Sequence, residues 1–594
     1  MIFSMLEQVT YTDIPRPQYP RPQMVREKWM NLNGVWEFEI DQGVSGLARG
    51  LLEKPFLDGS ILVPFCPESR LSGIGHTDFM ASVWYRREFV LPEDWEGDRV
   101  KLHFGAVDYE ARVYVNGKKA GVHRGGYTSF AFEITSLLQP GRNTVAVWAV
   151  DDVRSGSQPS GKQSKLYHSH DCDYTRTTGI WQTVWLEALP GSFIRDYKLI
   201  PQLQNGSLSF RLRATDALQG DKLRLTAYWG QAEVGRQEYS LEGGLCAGTL
   251  DLAEVHPWEV GKGGLYDLTL ELLRKGETID TVYSYFGLRG LDWQGKCIRI
   301  NGKPVFQRLI LDQGFYPDGI YTAPTEDELK NDILRSVAMG FNGARLHQKI
   351  FEERFLYWAD RLGYIVWGEH ASWGTDVHSL EGIPAFLPEW IEAVERDFNH
   401  PAIVGWCPFN ETWDDRRGTS PLGQDDRVLA TVYQVTKAMD PTRPVIDTSG
   451  NFHVITDIYD VHDYDQNPDT FAERYQPLAE GEFFTTFAPR QAHTYTGQPY
   501  FVSEYGGIKW VVDGPDAGWG YGDAPQTPEE FIERYRGLTH ALLSNPGICA
   551  LCYTQLTDVE QERNGLYTYD RKPKFDPALI ASITGETAAI EKEN

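Results

Sequence analysis

Ile403-Val404-Gly405-Trp406-Cys407-Pro408-Phe409-Asn410-Glu411 is a short apolar run that ends on an amide and a carboxylate. A run of this length, stopped by a proline, reads as a buried strand rather than a helix. It has company. From about residue 288 onward, apolar runs at 305–311, 342–346, 364–367, 403–407, 445–448, 458–462, 500–503 and 548–553 alternate with helical patterns. Thr325-Glu326-Asp327-Glu328 opens one helix with a capping box. Helical patterns also fill 351–362, 388–398, 425–439 and 528–543. Eight strands with interposed helices predict a (β/α)8 barrel over 288–594, with its least regular passage between the fifth and sixth strands.

Upstream the rhythm is different. Val35-Trp36-Glu37-Phe38-Glu39-Ile40, Val83-Trp84-Tyr85-Arg86-Arg87-Glu88-Phe89 and Ala111-Arg112-Val113-Tyr114-Val115 alternate apolar and polar residues. The last runs into Asn116-Gly117, a strong hairpin signal. Residues 1–190 therefore read as an all-β jelly-roll sandwich. Residues 191–287 repeat the pattern on a smaller scale, in Leu208-Ser209-Phe210-Arg211-Leu212 and Tyr266-Asp267-Leu268-Thr269-Leu270, and read as an immunoglobulin-like sandwich. Three domains suit 594 residues, because single cores stop growing near ~250–300.

Composition narrows the partners. Lys and Arg number 57 against 83 Asp and Glu, a net charge of −26. Such a chain offers no basic face for nucleic acid or for an anionic membrane. No apolar stretch of ~18 residues spans a bilayer, and Met1-Ile2-Phe3-Ser4-Met5-Leu6 lacks the basic flank of a signal peptide. Seven sparse cysteines read as reduced thiols. A cytoplasmic protein is expected, possible as a homo-oligomer. Aromatics are abundant, with 18 Trp, 30 Tyr and 28 Phe.

In a (β/α)8 barrel, reactive side chains sit at the C-terminal ends of the strands. The fourth strand delivers Asn410-Glu411 there, and the seventh delivers Ser503-Glu504-Tyr505-Gly506-Gly507. Two opposed carboxyl groups can cleave a glycosidic bond: one protonates the leaving oxygen while the other attacks or activates water.

With these residues in place the chain resembles glycoside hydrolase family 2, which includes β-galactosidases, β-glucuronidases and β-mannosidases. The resemblance extends to Thr178-Gly179-Ile180-Trp181-Gln182-Thr183-Val184-Trp185, Ile300-Asn301-Gly302-Lys303-Pro304-Val305 and Gly340-Phe341-Asn342-Gly343-Ala344-Arg345. It implies a retaining mechanism, with Glu504 as nucleophile and Glu411 as acid and then base. It also implies that Glu411 has its pKa raised by the neighbouring carboxylate. Asn410 resembles the residue that holds the sugar 2-hydroxyl, and Arg345 is placed to hold the nucleophile ionised. Asp173, six residues before Gly179, matches an acidic residue that reaches from the jelly roll into the active site.

Other strand-end residues are candidates for touching sugar: His347, His462, Tyr464 and Asp312, the last for a 4- or 6-hydroxyl. Among the aromatics Trp373, Trp413, Trp519 and Tyr553 are candidate pocket walls, since sugar C–H faces pack on rings. His168-Ser169-His170-Asp171-Cys172-Asp173 matches no zinc spacing, and Cys549-Ala550-Leu551-Cys552 lies inside the eighth strand as core. No metal or cofactor is expected.

The sugar is less legible than the reaction. Leu311-Asp312-Gln313-Gly314-Phe315-Tyr316 replaces the histidine-rich stretch of the β-galactosidases. Glu562-Arg563-Asn564 stands where β-glucuronidases carry Asn-x-Lys for the uronate carboxylate, so its lysine is missing, although Arg563 could serve instead. The expectation is an exo-glycosidase of β-galactosidase type on a neutral sugar. α-L-Arabinofuranoside and β-galactofuranoside are rival substrates, and β-glucuronide is less favoured. A non-catalytic carbohydrate-binding protein is the alternative of another class.

Overall fold

A computed structural model describes residues 2–7, 14–412, 423–450, 452–480, 482, 495–512 and 518–592. Its first core fills a jelly roll between a four-stranded and a six-stranded antiparallel sheet. The six-stranded sheet includes the hairpin Glu110–Val115 and Lys118–Arg124. Both turn residues between them have positive φ, 49° at Asn116 and 75° at Gly117, which is why Asn-Gly suits this turn. A second core lies between the three-stranded sheet around Ser207–Thr215 and the four-stranded sheet around Lys222–Trp229 and Tyr266–Arg274. Arg26, on the N-terminal segment, pairs with Glu187 at 3.1 Å and Asp280 at 2.9 Å and so ties the two sandwiches together.

The third core belongs to a curled parallel sheet. We number its strands β1 (Gln307–Asp312), β2 (Gly343–Leu346), β3 (Ile365–Glu369), β4 (Ile403–Cys407), β5 (Thr448–Ser449), β6 (Tyr459–Asp463), β7 (Tyr500–Gly506) and β8 (Ile548–Thr554). Seven pair in the order β4-β3-β2-β1-β8-β7-β6. β5 fills the remaining place: it pairs in parallel with Phe409–Asn410, while Val445 bridges Trp406. Nearly every residue of these strands is buried, as expected for a sheet with side chains on its inner face and helices on its outer face. Those helices include α1 (Glu326–Ala338), α2 (Glu353–Leu362), α3 (Ile383–Asp397), α4 (Asp426–Met439), α5 (Pro468–Tyr475), α6 (Pro528–Leu543) and α7 (Pro577–Thr584). The Thr325 side chain caps α1 by accepting from the Glu328 N–H. α3 begins five residues earlier than its sequence suggested, because Phe386 is anchored against Phe409, rings stacked at 4.3 Å, and this holds the turn before Pro388. Among the described residues no helix is long and apolar enough to cross a membrane.

The jelly roll reaches the barrel through residues 151–178, between the strands Arg142–Val150 and Gly179–Ile180. The Ser160 N–H donates to the Trp373 carbonyl at 2.7 Å, and the Gly161 N–H donates to the same oxygen at 3.1 Å. Gly161 has φ +55°, and a Cβ there would stand 2.4 Å from the Gln348 carbonyl oxygen. Only glycine permits this approach. It brings the following residue, Lys162, over the C-terminal rim of the barrel.

Candidate active site

Four strand ends meet around one arginine. Arg345, on β2, is 1% exposed and uses both faces of its guanidinium. Its Nε donates to Glu369 Oε1 at 2.6 Å, at the end of β3. Its Nη1 donates to the Ser503 carbonyl at 2.8 Å and to Glu504 Oε1 at 3.1 Å. Its Nη2 donates to Asn410 Oδ1 at 3.0 Å. A planar fork with five fixed donors can orient three strand ends at once, which a lysine could not. Burial opposes the charge on Arg345, but Glu369 and Glu504 outweigh it and hold the guanidinium firmly protonated.

Glu504 has a second anchor: Tyr464, just beyond β6, donates its hydroxyl to Oε2 at 2.5 Å. The β7–β8 register shifts between Val502 and Tyr505, and the β6–β7 register shifts between Val461 and His462. Irregularities of this kind re-aim side chains near active sites. Here they place Glu504 opposite His462.

Glu411 follows Asn410 with φ +46°, in the left-handed region, and its N–H donates to the Ser449 carbonyl at 2.8 Å. His462 Nδ1 lies 2.8 Å from Glu411 Oε1 and 3.4 Å from Glu504 Oε2. One oxygen of Glu411 and one of Glu504 stand within 4.8 Å of each other. Burial would raise the Glu411 carboxyl, but the His462 hydrogen bond and charge win and hold it below its ordinary value. This differs from the expectation that Glu504 would raise it, because that expectation did not place the His462 imidazole beside Glu411. Burial likewise pulls His462 down, and Glu504 and Glu411 outweigh it and raise it.

The same three atoms have the spacing of a cation site. His462 Nδ1, however, faces carboxyl oxygens, and the raised imidazole beside the lowered Glu411 carboxyl favours a protonated Nδ1 with no lone pair to give. We therefore read the cluster as a hydrogen-bonded triad.

Around this centre the other candidates sort into three groups. His347 is in the wall, with Nδ1 3.1 Å from Glu369 Oε2; burial, with Lys162 adding to it, keeps its imidazole well below its ordinary pKa. Trp373 donates its indole N–H to the Asn410 carbonyl at 3.0 Å, and its ring lies under the Lys162 ammonium at 4.0 Å. Tyr464 stacks on Tyr521, whose other neighbour is Trp519 at 5.4 Å, edge to face. Trp519 also donates to the Asp171 carbonyl, so it sits on the rim and joins barrel to jelly roll. Asp173 is at the same junction: its carbonyl accepts from Gln561, and its carboxylate lies 3.6 Å from His170. Trp413 lies outside the described residues.

Two candidates are not brought to the pocket. β1 runs one residue further than the sequence pattern indicated, so Asp312 is its last strand residue rather than a loop residue. Its carboxylate accepts from the Gly314 N–H at 2.9 Å, and burial with Asp332 of α1 pushes it up to about 6. Tyr553 points to the helices: its ring packs edge to face on Tyr505 at 5.6 Å and on Tyr535 of α6 at 5.1 Å. Strand alternation puts it on the outer face.

The sequence reading passed over Glu369, Lys162 and Tyr174, and named Glu562 only as the residue standing in place of a uronate-binding Asn. Glu369 ends β3 and would have been found by the rule that found Glu411. Lys162 is 6% exposed; its carbonyl accepts from the Tyr174 N–H at 2.7 Å, while its ammonium makes no hydrogen bond or ion pair to a described residue. Burial opposes its charge, but Cys172, Glu562, Glu411 and Glu504 together hold it charged. Glu562 is 2% exposed, accepts from Asn564 Nδ2 at 3.0 Å, and also accepts from the hydroxyl of Tyr174. Burial raises its carboxyl. Tyr174 and Lys162 lie in a loop with no periodicity, so no local signal marks them.

Comparison with known proteins matches the three domains to one family. Residues 75–190 match the sugar binding domain of glycosyl hydrolases family 2, residues 192–289 match a further domain of that family, and residues 298–514 match its TIM barrel domain. A β-glucuronidase from Paenibacillus borealis is 23% identical over 96% of this chain and 98% of its own. A β-galactosidase from Thermoanaerobacter pseudethanolicus is 26% identical over 57% of this chain and 46% of its own. Among solved structures, a β-glucuronidase from Ruminococcus gnavus covers 97% of this chain and 100% of its own, with TM-score 0.80 and 18% identity.

Proposed function

The chain belongs to glycosyl hydrolases family 2, and from that premise we propose that this exo-glycosidase retains anomeric configuration, with Glu504 as nucleophile and Glu411 as acid/base. The observation that carries the assignment is the approach of their oxygens to within 4.8 Å. Retaining enzymes hold their carboxyl groups ~5–5.5 Å apart, whereas inverting ones leave ~6.5–9.5 Å for a water.

In the first step a Glu504 oxygen bonds to the anomeric carbon as the glycosidic C–O bond breaks, and the leaving oxygen takes a proton from Glu411. In the second, water gives its proton to Glu411 and its oxygen to the anomeric carbon, and the bond to Glu504 breaks. Arg345 and Tyr464 keep the Glu504 carboxyl aimed. Asn410, held by Arg345 through its carbonyl oxygen, has its amide hydrogens left for a sugar hydroxyl.

For the sugar, we favour a neutral glycone, with β-galactoside as the nominal substrate. The Glu562 carboxylate occupies the place of the uronate-binding Asn, and a glycone carboxylate would meet it in a pocket that already holds Glu411 and Glu504. Two observations favour a β-glucuronide instead: the Lys162 ammonium has no hydrogen-bond or ion-pair partner among the described residues, and the Paenibacillus borealis and Ruminococcus gnavus relatives are β-glucuronidases.

A panel of aryl β-galactoside, β-glucuronide, α-L-arabinofuranoside and β-galactofuranoside separates these readings. Turnover of the neutral β-glycoside with a first product of unchanged anomeric form supports the proposal. An inverted first product removes Glu504 as nucleophile, and no turnover of any member leaves the carbohydrate-binding alternative.

A further inference from the structure

Behind Glu411 lies a row of buried polar groups that the two-carboxylate chemistry does not use. His462 Nε2 stands 2.9 Å from Ser449 Oγ. Ser449 Oγ donates to Asp460 Oδ2 at 2.6 Å, and the Ser503 hydroxyl donates to the same oxygen. Asp460 Oδ1 lies 3.1 Å from His453 Nε2, and His453 Nδ1 lies 2.8 Å from Asp447 Oδ1. Asp447 Oδ2 takes the N–H groups of Val454 at 2.6 Å and Ile455 at 3.0 Å. Asp447, Ser449, His453 and Asp460 are each at most 1% exposed.

Donor accounting then settles the protons. A carboxylate only accepts, so the Ser449 hydrogen points to Asp460, and its lone pairs face His462 Nε2. Nε2 must therefore be the donor. Nδ1 faces Glu411, whose carboxyl is held below its ordinary value; while that carboxyl is ionised it only accepts, so Nδ1 donates too. We propose that Asp460 and Ser449 are positioning residues that fix His462 as a doubly protonated imidazolium beneath Glu411, so that the proton for the leaving group is held by a Glu411–His462 pair. This rests on the reading of Glu411 as acid/base. His453, charged between Asp447 and Asp460, fixes Asp460 in turn.

The charges that face His462 come from every side. Glu411 follows β4 and Glu504 lies on β7; Arg345 and His347 come from β2 and its end. Glu369 ends β3, and Asp460 shares the strand of His462. Lys162 stands across Glu411. The two carboxylates in direct reach outweigh the cations beyond them, in line with the raised imidazole.

Two measurements test this. Histidine-selective 15N NMR of the whole chain at pH 7 is expected to show both His462 nitrogens protonated, and a singly protonated ring overturns the proposal. This arm needs no substrate, so it stands or falls apart from the catalytic reading. In kinetics, Asp460→Asn and Ser449→Ala are expected to move the alkaline limb of kcat/KM toward acid by about one pH unit. Their loss should be large for a methyl or phenyl aglycone and small for dinitrophenyl, which departs without proton assistance. Ser449→Thr, which keeps the hydroxyl, should restore the profile. Equal losses for both aglycones with an unmoved limb would mark a merely structural row and overturn the proposal.

Discussion

The pocket has a barrel half and a loop half. In the barrel half, Arg345, Glu369, Asn410, Glu411, His462 and Glu504 come from strand ends of one parallel sheet, and each is bonded to another member of the set. In the loop half, Lys162 and Tyr174 come from the jelly-roll crossover, and Glu562 and Tyr521 come from barrel loops. Among the described residues, the Glu562 carboxyl is held there by Asn564 and Tyr174, and the Lys162 ammonium meets only a ring face. The difference separates two jobs. A reaction centre needs groups whose geometry is set before substrate arrives. A specificity surface needs polar groups left unsatisfied, so that a substrate lacking the right partner leaves them unpaired.

The largest effect should come from the barrel half. Glu504→Gln removes the nucleophile and is expected to lower kcat by at least about 10⁴-fold on every aglycone. Glu411→Gln should cost about 10²–10⁴-fold on poor leaving groups and much less on dinitrophenyl glycosides. If Glu504→Gln keeps full activity, the division of labour collapses, because the best-anchored carboxylate would then be dispensable.

The next effect is on stability. Arg345 and Glu369 are both about 1% exposed, and Glu369→Gln leaves a buried guanidinium short of one counter-charge. Breaking a buried pair of this kind costs about 3–5 kcal/mol. A clear fall in the melting temperature, with Glu504 less well held and kcat reduced in proportion, is expected by calorimetry and kinetics. An unchanged melting temperature would show that the barrel half is less tightly coupled than its hydrogen bonds imply.

The two halves were not equally legible. Strand alternation, a two-residue hairpin turn and the βα rhythm are local patterns, so the sandwiches and the barrel could be read from short stretches. Glu411 and Glu504 could be read because strand ends are predictable, with Asn410 before the one and Gly506-Gly507 just beyond the other. Asp312 and Tyr553 show the limit of the same rule: one residue of error in strand length, or the wrong face of a strand, moves a side chain from pocket to outer face. Lys162 and Tyr174 had no such pattern to follow, and Glu562 was located only through the resemblance. Their meeting depends on the jelly-roll crossover docking on the barrel, where Gly161 lies against Gln348 and Tyr174 meets Glu562 at a sequence separation of 388. Docking between domains leaves no periodicity in either partner.

That contrast gives the loop half its own test. Lys162→Ala should leave the fold intact, because no described residue depends on its ammonium, and should raise KM while changing kcat less, by about 10-fold or more in kcat/KM. Measured across the panel, an equal loss on neutral glycosides and on a β-glucuronide assigns Lys162 to hydroxyl binding. A loss confined to the glucuronide assigns it to a carboxylate, and would sharpen the comparison by moving the glycone to the acidic class.

The smallest effect sits deepest in the barrel half. Burial pulls the His453 imidazole down, but its bonds to Asp447 and Asp460 outweigh that and push it up to about 10. An unfolded histidine titrates near 6.5. The folded value is the higher one, so the folded chain holds the proton more tightly, and the stability from His453 is fully present below about pH 6.5. It falls away as the pH rises toward and through about 10. His453→Gln, which keeps a donor but cannot carry the charge, should therefore melt several degrees below the parent at pH 6, with the gap closing by pH 10. A gap that stays constant with pH would mean that His453 is neutral in the fold and that Asp460 is fixed by Ser449 and Ser503 alone. The imidazolium assigned to His462 would then rest on those two hydroxyls without a charge behind them.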